Sequence, residues 1–197
     1  MERTASAKSI SLDRMVAAVD QVRQRLLKTC HALANANIPY AVVGGNAIAL
    51  WVSTVDEGAV RNTRDVDVMI QRSDLERVRL VLESEGFVYR HVAGIDVFLD
   101  SEESSVRNGV HLVFAGEFVS QGELAENPTL DDIVSAGEFS VLNLMSLLRI
   151  KLTAFRDKDR THIRDLIEVG LVDASWLSRL PDPLAARLKV ILEDPFG

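Results

Sequence analysis

Acidic and apolar residues alternate from Asp65 through Val68, and Met69-Ile70 extends the apolar run. Alternation of this kind marks a strand with two unlike faces. Val66 and Val68 turn into a core, while Asp65 and Asp67 share the opposite side. A lone strand cannot bury one face, so the chain needs a sheet and something to cover its apolar side. That cover is at hand upstream. Beginning at Ser11, an N-cap residue type, Leu12, Met15, Val16, Val19, Val22, Leu26, Leu27, Cys30 and Leu33 recur at spacings of three and four. This predicts a helix over 11–36 with one apolar stripe, stopped by Asn35-Ala36-Asn37 and Pro39.

The remaining punctuation divides the chain. Tyr40 to Val43 reads as a short strand, broken by Gly44-Gly45, and Asn46 to Val52 as a short helix. A polar loop, Ser53 to Thr63, leads into the acidic strand. A helix capped by Ser73 or Asp74 runs to Glu85 and stops at Gly86. Phe87–Arg90, Ile95–Leu99 and Val110–Phe114 are further strand candidates. After Pro128 the character changes. Thr129–Ala136, Val141–Phe155 and Thr161–Val169 read as helices, with weaker helical stretches at Ala174–Leu180 and Pro183–Glu193. The fold class is therefore α/β (α+β). A small mixed sheet with its helices occupies 1–118, residues 1–10 being a loose tail, and a helical subdomain occupies 119–197.

Composition removes several function classes. A chain of 197 residues suits one domain with at most a small appendage. At 47% hydrophobic and 26% charged it is neither disordered nor fibrous. Its 29 acidic against 22 basic residues give a net charge of −7. Such a chain has no general attraction for phosphate backbones or anionic lipid, and a nucleic-acid partner needs a local basic site. Cys30 stands alone, so no intrachain disulfide forms, and its place in the helix stripe makes it a core residue. The N-terminus has no apolar signal core, and no apolar run is long enough to span a bilayer. The expected setting is the cytoplasm, with no membrane partner.

Two features carry chemistry. Gly44-Gly45 lets the backbone turn sharply between strand and helix, and the free N–H groups that open the helix favour a phosphate. The same pair also serves a plain tight turn. Asp65 and Asp67, close together and alike in charge, repel one another unless a cation lies between them. A hard cation such as Mg²⁺ takes oxygen ligands of this type, with substrate phosphates completing its shell.

In this order, Val43-Gly44-Gly45, a helix, and Arg61-x-Thr63-x-Asp65-Val66-Asp67-Val68 resemble the nucleotidyltransferases of the polymerase-beta superfamily. The likeness is nearest to the minimal and abortive-infection-toxin-like branches. Lys151-Leu152-x-Ala154-x-Arg156-x-Lys158-Asp159 with Asp165-Leu166 is similar to the helical signature that follows the catalytic part in those branches. The resemblance spans roughly residues 38–170. It implies transfer of a nucleoside monophosphate from a nucleoside triphosphate (NTP) to an acceptor: RNA, protein or a small molecule. Asp65 and Asp67 would ligate Mg²⁺ or Mn²⁺ and serve catalysis. Gly44, Gly45 and Asn46 would hold the triphosphate. Arg61 and Thr63 would brace the metal strand or contact substrate, and Lys151 and Lys158, two helical turns apart, would reach phosphate together.

The sequence departs from the family pattern at the third acid. The matching strand reads Val110-His111-Leu112-Val113, so His111 stands where a carboxylate is expected. Three readings follow. His111 is a neutral metal ligand or general base; or Asp96, Asp100 or Glu117 substitutes; or the site binds nucleotide without turnover. The last would make the chain a silent nucleotide-binding or interaction module, one half of a toxin–antitoxin or defence pair with an antitoxin-like protein. An aminoglycoside- or lincosamide-type modifying activity would need an acidic acceptor pocket, for which Glu102, Glu103, Glu117 and Glu123 are the available acids. The nineteen residues between Gly45 and Asp65 (46–64) exceed the compact spacing of the pattern, so Ser53–Val60 reads as an insertion. His162 and Asp165, three apart, are placed to hydrogen-bond or to share a metal, the structural bond being the default. Trp51 either stacks on a base or packs in the core.

Overall fold

A computed structural model describes residues 11–119 and 124–194; the tail 1–10 and Glu123 lie outside the described residues. The strands are β1 (Tyr40–Val43), β2 (Val66–Ile70), β3 (Val88–Val92), β4 (Ile95–Leu99), β5 (Val110–Phe114), β6 (Ile133–Ser135) and β7 (Ser140–Leu142). They form one mixed sheet in the order β3–β4–β5–β2–β1–β7–β6. β2 is antiparallel to β1 and parallel to β5. Val66 and Val68 are fully buried and Asp67 is half-buried, so the alternation in sequence is an alternation of faces.

The helices are α1 (Leu12–Asn35), α2 (Gly44–Ser53), α3 (Leu75–Ser84), α4 (Leu144–Ala154), α5 (Asp157–Glu168) and α6 (Asp182–Glu193). α1 and α3 pack together, with α1 also against β2 and β5. α2 packs on β1 and β2 and is met from its other side by α4 and α5. This contact brings the C-terminal helices to the acidic strand. Only the C-terminal half of α1 is covered. Leu33 and Cys30 are fully buried, but Leu12, Met15 and Val16 are exposed. The helix is about 36 Å long, whereas five-residue strands span about 17 Å, so its first turns run past the sheet. No helix among the described residues is long and apolar enough to cross a membrane.

The stretch after Pro128 corrects the sequence reading. Thr129–Ala136 is not a helix: Leu130–Asp132 is a single 3₁₀ turn and Ile133–Ser135 is β6. The helix expected from Val141 begins only at Leu144, because Ser140–Leu142 is β7 and Asn143 caps α4 by accepting from the Ser146 N–H at 2.8 Å. β7 pairs parallel to β1 and β6 closes the edge, so this hairpin completes the sheet before the helices begin. Segments this short and apolar carry no period that separates strand from helix; pairing with β1 decides. Ala174–Arg179 is 3₁₀ rather than α.

Burial predicts a contrast along α1. Leu33→Ala should lower the unfolding free energy in urea by about 3 kcal/mol. Met15→Ser on the uncovered turns should change it by less than about 0.5 kcal/mol.

Candidate metal and nucleotide site

The β1–α2 turn and the front of β2 meet at one point. Gly44 opens α2 at φ +67°, and a Cβ built there would lie 1.8 Å from Asp67 Oδ2. Only a residue without a side chain lets the carboxylate sit against the N-terminus of α2, where the helix dipole favours negative charge. A Cβ on Gly45 would stand 3.0 Å from Thr63. Asn46, in the same turn, donates from Nδ2 to the Asp65 carbonyl at 2.7 Å. Thr63 Oγ1 donates to Asp65 Oδ1 at 2.5 Å, which leaves Oδ2 to face the site.

His111 enters from β5. The parallel register sets it beside Asp67, in one row with Val43 across three strands. Its Nδ1 is 3.5 Å from Asp67 Oδ1 and 3.9 Å from Asp65 Oδ2. Ligand atoms of Asp65, Asp67 and His111 all lie within 4.8 Å of one another, the one such group among the described residues. Burial alone would raise the Asp67 pKa. The hydrogen bond from His111 and the charges of Lys151 and Lys158 overcome it and hold the carboxyl below its ordinary range. The Asp67 hydrogen bond raises the pKa of His111 against its own burial. Two carboxylate oxygens and an imidazole nitrogen, converging beside a cradle that a Cβ would fill, fit a divalent ion.

The acids that could have replaced His111 are engaged elsewhere. Asp96 accepts from Tyr89 Oη at 2.6 Å and lies 2.8 Å from His91 Nδ1. Asp100 pairs with Arg25, and Glu117 pairs with Arg72. Glu102 is taken by Arg90.

The expectation that Lys151 and Lys158 share one helical face is overturned. Phe155, at φ +51°, ends α4, and α5 starts at Asp157, so the two lysines lie on different helices. Both charges nonetheless act on Asp67. Lys151 is buried and donates to Asp159 Oδ1 at 3.2 Å, while Lys158 is exposed. Arg61 reaches across to α5, donating from Nε to the buried Asp165 at 2.7 Å. Asp165 therefore does not bond His162, whose buried Nδ1 has no partner. Trp51 donates from Nε1 to the Leu142 carbonyl at 3.1 Å and packs against the core.

Three supports were missed in sequence. Arg25, buried in α1, donates to the Arg64 carbonyl at 3.4 Å and grips Asp100. Asp159, fully buried, gathers Lys151 and Arg156. The Val106 carbonyl lies 2.7 Å from His111 Nε2. Arg25 lies within the apolar stripe of α1, and Arg156 and Asp159 are three apart, signals available in sequence; the Lys151 contact and the Val106 carbonyl depend on chain reversals.

No family model matches the chain, and no curated protein matches it in sequence. The likeness lies in structure. The antibiotic-resistance factor ANT(2'')-Ia, in solution, is 12% identical at a TM-score of 0.52 over 89% of this chain and 93% of its own. Its crystal structure in complex with adenylyl-2''-tobramycin is 16% identical, TM-score 0.51, over 90% and 99%. An antigenic nucleotidyltransferase-like protein from Paracoccidioides brasiliensis is 17% identical, TM-score 0.55, over 90% of each chain. The chain thus has the fold of the nucleotidyltransferases, in agreement with the polymerase-beta-type resemblance of its motifs. At these identities the likeness is one of fold.

Two outcomes follow from this geometry. Gly44→Ala should displace Asp67 and weaken Mn²⁺ binding at least about tenfold by calorimetry, while the protein remains folded by circular dichroism. His162 is the second case: burial, helped by Lys151, pushes its pKa down to about 4 from 6.5. Between those values the unfolded chain binds a proton that the folded one refuses. Stability from this group is complete above pH 6.5 and is lost as pH falls toward 4. Discounted for partial exposure, the loss is about 2 kcal/mol, read as the difference between native protein and His162→Gln in urea unfolding at each pH.

Proposed function

We propose that this chain is a divalent-metal-dependent nucleotidyltransferase that moves a nucleoside monophosphate from an NTP to an acceptor hydroxyl. The observation that carries the reading is the convergence of Asp65, Asp67 and His111 against the N-terminus of α2, where Gly44 leaves room for the carboxylate. Asp65 and Asp67 would hold the metal, with Mg²⁺ or Mn²⁺ as the ions to test first. A bound ion supplies charge neutralisation for in-line displacement at the α-phosphate. The acceptor oxygen forms a bond to the α-phosphorus, the bond to the bridging oxygen breaks, and pyrophosphate leaves with that electron pair. The acceptor's proton passes to solvent.

The chain's own residues bind and orient. The N–H groups at Gly44, Gly45 and Asn46 favour the triphosphate. Thr63 keeps one oxygen of Asp65 occupied so that the other faces the site. Lys151 and Lys158 add positive charge from the opposite wall. Arg61 ties the loop before the acidic strand to α5. In this division of labour residues 1–118 carry the metal and phosphate elements, and 119–197 supply the lysines. We place the activity in the cytoplasm, where NTP is available.

His111 supports a second reading. Its imidazole, drawn toward the protonated form by Asp67, can offset part of the charge of the two aspartates without a metal. The chain would then bind nucleotide or an antitoxin-like protein and not turn over. Incubation with labelled NTP and Mn²⁺ or Mg²⁺, against RNA, protein and aminoalcohol acceptors, separates the two. Transfer is expected from native protein, with Asp65→Asn and Asp67→Asn each reducing it at least about a hundredfold while the fold persists. Native protein that binds NTP by calorimetry but labels no acceptor favours the silent module; absence of binding to any NTP overturns the enzyme reading.

A further inference from the structure

The identity of the ion turns on His111, and the argument rests on the metal site proposed above. His111 Nε2 lies 2.7 Å from the Val106 carbonyl oxygen. A carbonyl oxygen can only accept, so this hydrogen bond assigns a proton to Nε2. Nδ1 is then the atom turned toward the carboxylates, at 3.5 Å from Asp67 and 3.9 Å from Asp65, and a bound ion would take the place of the proton through which it bonds Asp67. A ring that donates one N–H to a backbone carbonyl and aims its other nitrogen at carboxylates is held as metal-ligating histidines are held. The 3₁₀ turn Val106–Asn108 supplies that carbonyl and leads directly into β5, so ring orientation is built into the connection.

The donor set is therefore two oxygens and one nitrogen, with no third carboxylate near it among the described residues. Mg²⁺ keeps to oxygen ligands and releases its waters reluctantly. First-row transition ions accept imidazole readily, with affinity for mixed nitrogen and oxygen sites rising from Mn²⁺ through Co²⁺. We propose that this site selects a first-row transition divalent ion over Mg²⁺, and that His111 is the residue that sets the selection.

The test uses the full chain with a nonhydrolysable NTP analogue at about pH 8. Mg²⁺, Mn²⁺ and Co²⁺ are titrated separately by calorimetry, and the Mn²⁺ complex is examined by pulsed electron paramagnetic resonance. The deciding quantity is the ratio of Mn²⁺ to Mg²⁺ affinity in native protein against His111→Asp. The ratio should fall by at least about tenfold in the variant. Native protein should show a nitrogen coupling to Mn²⁺ that changes when histidine is ¹⁵N-labelled. The coupling is read on native protein and so decides even if the variant fails to fold. An unchanged ratio, or no histidine coupling in a protein that binds Mn²⁺, overturns the selection and leaves the nucleotidyltransferase reading standing. Failure of native protein to bind any of the three ions with nucleotide overturns both.

Discussion

The site depends on the cost of holding Asp65 and Asp67 together. Two carboxylates, Asp65 at the entrance to β2 and Asp67 within it, partly withdrawn from water, repel each other and lose hydration. The fold meets this cost with favourable dipoles, hydrogen bonds and charges from several directions. The N-terminus of α2 faces Asp67, His111 stands beside it, and the charges of Lys151 and Lys158 arrive from the helices beyond α2. These contributions hold Asp67 ionised in spite of burial.

Lys151 illustrates how far the supporting network extends. A buried ammonium needs a partner, and Asp159 provides it; Arg156 in turn satisfies Asp159 from the first turn of α5. His162, one turn on, stays neutral because burial and the Lys151 charge both oppose its protonation. Arg61 and Asp165 tie the loop before β2 to α5. The helical part is thus joined to the sheet side by this ion pair as well as by apolar packing, and Lys151 and Lys158 on those helices act on Asp67.

Much of the fold was legible because period and punctuation are local. The acidic strand, the α1 stripe and the helix stop at Gly86, which takes φ +87°, follow from a few adjacent residues each. Ile133–Ser135 and Val141–Leu142 fall in stretches that read as helical because three-residue strands carry no distinguishing period; pairing of β7 with β1 and of β6 with β7 makes them strands. The exposure of Leu12, Met15 and Val16 was likewise hidden, since an apolar stripe states which face can pack and not how far the sheet extends beneath it.

By itself the sequence determined that Asp65 and Asp67 share a face, that glycines open α2, and that histidine stands at position 111, where the pattern it resembles has an acid. These are consequences of alternation and residue identity, which act within a few residues. Tertiary structure decided that Gly44 lies against Asp67 and that the parallel register of β2 and β5 sets His111 beside it. It also decided that Lys151 and Lys158 act on one carboxylate from two helices. Those relations join segments tens of residues apart, and only sheet pairing and the packing of α4 and α5 on α2 bring them close enough for their charges to act on one another.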